Sequence, residues 1–180
     1  MFIFSYGIET DMAKYVPLHR ALLRGDWQKA EEIFNKDKDA LTAKLTDTDE
    51  CALYIVIGTR RHFHLVKNLL EEINPELLPT LVDSLQFNVL HCAAIVGNTT
   101  ASKMVVEKNP RLLFMVDKDE DLPIHRAIVN CHKDTFEYLL DVSKKYIEFS
   151  REDGYRNPFE GESGVQLINE VINACLFGGF

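Results

Sequence analysis

Residues 87–98 of the chain, FNVLHCAAIVGN, place a histidine directly before a cysteine inside an apolar run. An imidazole beside a thiol can lower the pKa of that thiol and create a nucleophile, so His91 and Cys92 suggest a reactive pair. The same two residues also suit the start of a helix, where one makes hydrogen bonds and the other packs. The remainder of the sequence bears on which interpretation is correct.

The composition is that of a folded protein with an acidic surface. Of the 180 residues, 46% are hydrophobic and 27% are charged, which is typical of chains that bury a core. The formal net charge is −8. Nucleic-acid-binding proteins usually present a basic face, so we expect no nucleic-acid partner.

The cysteines and the N-terminus indicate a reducing compartment. The chain has four cysteines and no CxxC motif, and residues 1–12 lack the basic segment of a secretory signal. No uninterrupted apolar run approaches the roughly 18–20 residues that span a bilayer. We therefore expect a cytoplasmic protein with free thiols and no membrane segment in this chain.

The opening stretch is one of a series of similar segments. YVPLHRALLRGD, ECALYIVIGTRR and DLPIHRAIVNCH share its pattern of an aliphatic residue, then histidine or tyrosine, then a variable residue, then alanine or valine. A weaker fifth copy is GVQLINEVINAC. Successive copies are separated by 35, 37, 34 and 43 residues, counted between the aliphatic anchors Leu18, Leu53, Leu90, Ile124 and Leu167.

A second helical pattern and a polar turn complete each unit. WQKAEEIF, for example, places Trp27, Ala30 and Phe34 on one face of a helix. Polar segments such as MVDKDED separate this pattern from the next copy, as expected for turns. The predicted unit is a turn, a short helix and a longer helix, and the predicted fold class is all-α.

The segments VPLHRA, NVLHCA and LPIHRA resemble the T-P-L-H-x-A signature of ankyrin repeats, which have a period of 33 residues. Gly25 and Gly97 lie where that family turns between its two helices. The resemblance implies an ankyrin-repeat solenoid of about four repeats plus a partial fifth, in which helix-turn-helix units are joined by β-turn or hairpin loops. The expected divisions are an N-terminal extension at 1–13 and repeats within 14–178, at 14–46, 47–82, 83–116, 117–150 and 159–178, with an insertion near 150–163.

The resemblance also implies a structural role for the recurring histidine, which ties neighbouring repeats together by hydrogen bonds in that family. We therefore interpret Leu18, His19, Leu90, His91, Ile124 and His125 as structural positions. A residue repeated in register meets a need of every repeat, whereas a catalytic dyad occurs once. Cys92 is then a small packed thiol.

The remaining sequence offers no enzyme motif. It contains no Gly-rich phosphate loop, no GxSxG and no HExxH, and its cysteines are too widely spaced for a closed zinc site. We expect no catalytic residues, no metal and no cofactor. An enzyme that uses cysteine and histidine remains the remote alternative.

In an ankyrin stack, the binding surface is formed by the turn tips and the exposed faces of the first helices on the concave side. We expect an apolar centre there with acidic residues beside it, which suits a protein segment that has an apolar anchor between basic residues. The alternative is that the acids only keep the edge soluble. The predicted partner-binding residues are Leu85, Phe87, Ile95, Val96, Asp49, Glu50, Asp119, Asp121, Val129 and Asn130.

GDWQKAEEIF, IVIGTRRHFHLVKNLL and VVEKNPRLLFMVD resemble the N-terminal arrays of plant ankyrin proteins that carry a membrane-spanning PGG domain, which is absent from this sequence. That resemblance implies a non-catalytic scaffold in plant stress or defence signalling. The alternative is the cytosolic portion, or a truncated isoform, of a membrane-anchored signalling protein. The apolar positions 167, 168, 171, 172 and 176 of the fifth copy fit a first helix that lacks its second helix.

Overall fold

The computed structural model describes residues 6–176, with side chains described for residues 13–176, so positions 1–5 and 177–178 of the predicted divisions lie outside it. The described residues form helices and turns without a β-strand, which confirms the all-α solenoid. Repeats one to four each pair a first helix with a second helix, and the described part of the fifth repeat has a first helix alone. The first helices are α1 (Tyr6–Arg24), α3 (Ala52–Thr59), α5 (Val89–Ile95), α7 (Pro123–Val129) and α9 (Gly161–Leu176), and the second helices are α2 (Trp27–Lys36), α4 (Phe63–Glu72), α6 (Thr99–Lys108) and α8 (Lys133–Lys145).

A short 3₁₀ helix follows every second helix, an element that the sequence did not predict. The four 3₁₀ helices are Lys38–Leu41, Pro75–Thr80, Pro110–Phe114 and Ile147–Arg151. Asn109 caps the third, accepting a hydrogen bond from the Arg111 backbone N–H, and its side chain donates to the Pro75 carbonyl in the preceding repeat. These segments therefore join neighbouring repeats on the outer side of the stack.

The core runs along the stack between the two layers of helices. The aliphatic anchors of the five copies are all buried, and the first helices α3, α5 and α7 pack directly against one another. Burial of each leucine-sized side chain stabilises the fold by roughly 1.5–3 kcal/mol. Because each repeat packs only on its neighbours, the turns at the edge stay free to vary.

The turns that precede α5 and α7 are closed by an aspartate with the same geometry. Asp83 Oδ1 accepts hydrogen bonds from the backbone N–H groups of Leu85 and Phe87, at 2.8 and 2.9 Å. Asp117 Oδ1 does the same for residues 119 and 121, at 2.8 and 3.1 Å. Aspartate is favoured in such turns because its carboxylate satisfies nearby backbone donors.

A hydrogen bond to the following repeat recurs at the first helices α3, α5 and α7. The Nε2–H of His91 donates to the Asp121 carbonyl at 3.0 Å, and that of His125 donates to the Ser163 carbonyl at 3.2 Å. In the second repeat Tyr54 replaces the histidine, and its hydroxyl donates to the Phe87 carbonyl. The degenerate copy at residues 50–61 thus keeps the contact with a different donor.

These hydrogen bonds require neutral imidazoles. Nδ1 of His91 accepts from the Asn88 backbone N–H, and Nδ1 of His125 accepts from that of Leu122, so the single ring proton of each lies on Nε2. Burial lowers the pKa of His91 to about 4 and also lowers the pKa of His125. Both side chains are therefore neutral scaffold groups at physiological pH.

His19 differs from the other two histidines, which corrects the sequence-based interpretation. It lies inside α1, which is continuous from Tyr6, and Pro17 is likewise internal although its counterpart Pro123 opens α7. The capping geometry needs the unpaired N–H groups of a helix start, and position 19 offers none. The half-buried His19 instead lines a groove described below.

Two glycines allow a histidine of the next repeat to pack closely. Gly25 and Gly97 have φ values of +75° and +65°, and the His62 and His132 rings lie over them. A Cβ atom at Gly97 would be 2.5 Å from Nδ1 of His132, whose Nε2 lies 2.9 Å from the Ile95 carbonyl oxygen. Residue 97 therefore favours glycine for two reasons: its φ lies in the left-handed region, and the His132 ring leaves no room for a Cβ atom.

The last helix exposes an apolar face. Leu167 is buried and Ile168 is exposed, because adjacent residues of a helix point about 100° apart, so the predicted stripe is divided between two faces of α9. No helix among residues 6–176 has the length and apolar character needed to cross a membrane. The exposed apolar residues of α9 are Val165, Ile168, Ile172 and Leu176.

We predict that Gly97→Ala lowers the free energy of unfolding by about 2–3 kcal/mol, since it adds left-handed backbone strain to a clash with His132. Urea denaturation followed by circular dichroism measures the change. Gly58→Ala is the matched control, because no atom lies within 4 Å of its added Cβ and the site is helical. The control should be neutral or stabilising by up to about 1 kcal/mol, and an equal loss in both variants would contradict the prediction.

We predict that the stability advantage of the wild type over His91→Gln shrinks as the pH falls. The pKa of His91 is lowered to about 4 in the folded chain, so from its ordinary value near 6.5 downward only the unfolded chain gains the proton. The gap should narrow by about 2 kcal/mol between pH 7 and pH 5.

Comparing the two proteins at each pH isolates His91 from other titrating groups. Burial raises the pKa of Glu170 to about 7, which has the opposite sign and stabilises the folded chain as the pH falls. That contribution is common to both proteins and cancels. Denaturant titrations at several pH values provide the free energies, and a gap independent of pH would contradict the prediction.

Candidate functional site

A groove of about 540 Å³ lies between the turn tips and the first helices of repeats one to three. Helices α1, α3 and α5 form its floor, and the turns at 46–50 and 83–87 form its edge. Its lining consists of His19, Leu23, Thr46, Thr48, Glu50, Tyr54, Ile55, Gly58, Thr59, Asp83, Ser84, Leu85, Phe87, Cys92, Ile95 and Val96.

The predicted apolar centre consists of Leu85, Phe87, Ile95 and Val96, and all four line this groove. Leu85 is the most open, with 48% of its surface exposed, and it projects from the tip of the second turn. Ile95 and Val96 are half-buried at the end of α5. The apolar surface is therefore continuous from the tip to the helix floor.

Phe87 is held in place from both sides. Its ring stacks on the His91 ring, with centroids 5.7 Å apart, and the Arg126 guanidinium lies 5.1 Å from the ring centroid. The second contact is a cation–π interaction, which contributes roughly 0.5–2 kcal/mol. Phe87 consequently links two repeats while one part of it lines the groove.

Two carboxylates give the groove its negative charge. Glu50 was predicted as a binding residue, and it accepts a hydrogen bond from the Thr46 hydroxyl at 3.0 Å. Asp83 was not predicted, although it precedes its anchor Leu90 by the same interval that separates Asp117 from Ile124. Burial raises the pKa of Asp83, and the negative charges of Glu50 and Asp117 add to this effect.

The acidic residues of the third turn, which were predicted to flank the apolar centre, form ion pairs within the chain. Arg126 pairs with Asp117 at 2.7 Å, with Asp119 at 2.8 Å and with Asp121 at 3.2 Å. Asp121 is only 8% exposed and also accepts a hydrogen bond from Gln166. These carboxylates neutralise a half-buried arginine; Asp121 is buried in doing so, whereas the Asp119 side chain stays exposed.

Three further predicted residues lie outside the groove. Asp49 pairs with Lys44 at 2.7 Å and occupies a left-handed turn position with φ of 67°. Val129 and Asn130 are exposed at the end of α7, where the Asn130 side chain donates to the Arg126 carbonyl. These side chains remain accessible, but the structure does not bring them together with the apolar centre.

His91 and Cys92 do not form a reactive pair in this geometry. Both ring nitrogens of His91 are occupied by backbone partners, as described above. Burial raises the pKa of the Cys92 thiol to about 12, with further contributions from Glu50 and Asp83, so the thiol is protonated at neutral pH. Among the side chains described for residues 13–176, no three potential metal ligands cluster together.

A sequence profile of ankyrin repeats matches residues 53–153 as three copies, which is more than half of the chain. The match includes α3, α5 and the second turn, which together supply most of the groove lining. A comparison with curated proteins finds no significant match.

We predict that Arg126→Met lowers the free energy of unfolding by about 3–5 kcal/mol, because it leaves the fully buried Asp117 side chain without its cation. Urea denaturation measures the loss. Arg156→Met is the matched control, since its ion pair with Glu120 lies on the surface and should cost less than about 1 kcal/mol. Similar losses in the two variants would contradict this assignment.

Proposed function

The chain belongs to the ankyrin-repeat family, and we propose that it is a non-catalytic binding module that receives a protein segment in the groove. Ankyrin repeats are protein–protein interaction modules. The observation that supports this particular site is the continuous apolar surface of Leu85, Ile95 and Val96 between the turn tips and the helix floor. Apolar side chains that project into a concave surface are the usual anchors of a protein interface.

The stacking of the repeats supports the same proposal. Tyr54 ties α3 to the turn at 83–87 by a hydrogen bond, and the Ser84 backbone N–H donates to the Thr48 carbonyl at 3.0 Å, so the two edge turns are joined before a partner arrives. A preformed surface loses less conformational entropy on binding than a flexible one. The groove volume of about 540 Å³ suits a few side chains of an extended segment.

For the cellular context we propose a cytoplasmic scaffold in plant stress or defence signalling. The support is the resemblance of segments such as GDWQKAEEIF to the arrays of plant PGG-domain proteins. The thiol chemistry agrees with the non-catalytic role, since the raised pKa of Cys92 disfavours a thiolate nucleophile.

We predict that the double variant Leu85→Ala, Val96→Ala weakens partner binding by about 10- to 100-fold, corresponding to a loss of one or two interface anchors. Partners are recovered by affinity purification with the intact chain and then titrated against both proteins by calorimetry. Phe87 is left unchanged because its ring also packs between His91 and Arg126.

The control for this experiment is Leu77→Ala. Leu77 is 45% exposed in the 3₁₀ helix Pro75–Thr80 and does not line the groove, so its truncation removes a similar apolar side chain elsewhere. It should leave the affinity unchanged. Equal affinities of the groove variant and the wild type would overturn the proposed binding site.

A further inference from the structure

Two consecutive repeats close their turns with an aspartate, but only one of these aspartates is paired with an arginine. In the fourth repeat, Asp117 closes the turn with Oδ1, and Oδ2 receives the Arg126 Nε–H at 2.7 Å. In the third repeat, Asp83 closes the turn with Oδ1 in the same way. The residue that corresponds to Arg126, two positions after the anchor, is Cys92.

The third repeat therefore keeps the anion and lacks the cation. None of the ion pairs among the described side chains involves Asp83 or Glu50. Arg126 stacks over Phe87, which lies three residues before its anchor Leu90. One repeat earlier, the residue three positions before the anchor Leu53 is Glu50, so Glu50 corresponds to Phe87. An arginine side chain above Cys92 would thus face Asp83 on one side and Glu50 on the other.

We propose that the groove receives an arginine of the bound partner segment, whose guanidinium lies above Cys92 and pairs with Asp83 and Glu50, as Arg126 pairs with its own turn one repeat later. This inference rests on the proposed function and specifies the charged residue of the partner. The occupant is a cationic peptide segment with aliphatic neighbours, which meet the apolar residues Leu85 and Val96.

The geometry favours a guanidinium over an ammonium. Arg126 shows how the fork is used in this scaffold, because its Nε, Nη2 and Nη1 each reach a different carboxylate while its flat face lies over an aromatic ring. A planar group with several fixed donors fits between two carboxylates, whereas an ammonium acts as a point charge. The wall beside Cys92 includes the Tyr54 ring and aliphatic residues, which are compatible with a flat, weakly hydrated cation.

Both carboxylates act electrostatically at the place where the guanidinium would lie. Their negative charges, added to burial, raise the pKa of the half-buried Cys92 thiol. Asp83 is itself partly desolvated, so a cation that displaces water from the groove gains a stronger interaction than at an open surface. Charge complementarity thus selects a basic segment.

The first test uses two peptides that differ in one charge. The probes are acetyl-Leu-Arg-Leu-amide and its analogue with citrulline, which has a neutral group of the same shape in place of the guanidinium. Both are titrated into the ¹⁵N-labelled chain while the backbone amide signals of residues 83–96 are followed. We expect the arginine peptide to bind about tenfold more tightly, as for a charge-assisted pair.

Variants of Asp83 and Glu50 test whether these two carboxylates cause the preference for the arginine peptide. Asp83→Asn keeps an oxygen for the Leu85 and Phe87 N–H groups but removes the charge, so the turn is retained. Combined with Glu50→Gln, it should abolish the preference for arginine over citrulline. Asp47→Asn removes one exposed charge from residues that do not line the groove, and it should leave the preference unchanged.

A second test fills the site from within the chain. Cys92→Arg introduces a side chain where the next repeat has Arg126, and it should abolish binding of the arginine peptide. Cys92→Ser, which has nearly the same size, should retain the binding. If both Cys92 variants bind the peptide as the wild type does, the guanidinium position is wrong.

The outcomes separate this inference from the proposed function. Equal affinity for the two peptides, with shifts at the groove amides, overturns the arginine site and leaves the groove as a binding surface. No shift with either peptide at a concentration of about 10 mM also overturns the arginine site, since that limit lies beyond the weakest affinities of specific binding. The proposed function is tested separately, by titrating the natural partner against the Leu85→Ala, Val96→Ala double variant.

Discussion

The structure depends on one recurring hydrogen bond, in which a donor at the start of a first helix reaches the backbone carbonyl of the next repeat. His91, His125 and Tyr54 supply it at three successive junctions. Each donor is largely buried, so an unpaired nitrogen or oxygen there would cost about 1–3 kcal/mol. The bond therefore fixes both the spacing of the repeats and the protonation state of the histidines.

The groove is a consequence of that spacing. Tyr54 ties α3 to the turn at 83–87, and the Ser84 backbone N–H donates to the Thr48 carbonyl, so the tips at 46–50 and 83–87 stand at a fixed distance from the helix floor. Two side chains that line the groove, Tyr54 and Phe87, also hold neighbouring repeats together. Leu85 and Val96 leave part of their surface open to the groove, whereas the anchor Leu90 in α5 is fully buried.

The sequence predicts the scaffold better than it predicts the surface. Periodic residues are under the same constraint in every repeat, so their spacing predicts the all-α stack. His19 shows the limit of this reasoning, because its segment matches the signature but α1 begins further upstream and leaves no helix start there. Local similarity of sequence indicates where a repeat lies, but not where its helix begins.

The acidic tips show a second limit. Asp119 and Asp121 look like free charges in the sequence because nothing in their own segment pairs with them. Their partner Arg126 lies in the following helix, and only the fold of the turn onto α7 brings it within 2.8 and 3.2 Å of them. Asp83 was overlooked for the opposite reason, since a single acid in an apolar turn carries no obvious signal until it is compared with Asp117.

The turn geometry that Asp83 shares with Asp117 explains why the groove contains a negative charge. Asp83 is needed by the turn, because its Oδ1 satisfies two backbone donors, and a carboxylate that closes a turn leaves its second oxygen unused. The fourth repeat neutralises this oxygen internally with Arg126, while Cys92 is too short and lacks a charge to do so in the third. A repeat scaffold thus acquires a binding site where one member of a structural pair is replaced and the other must stay.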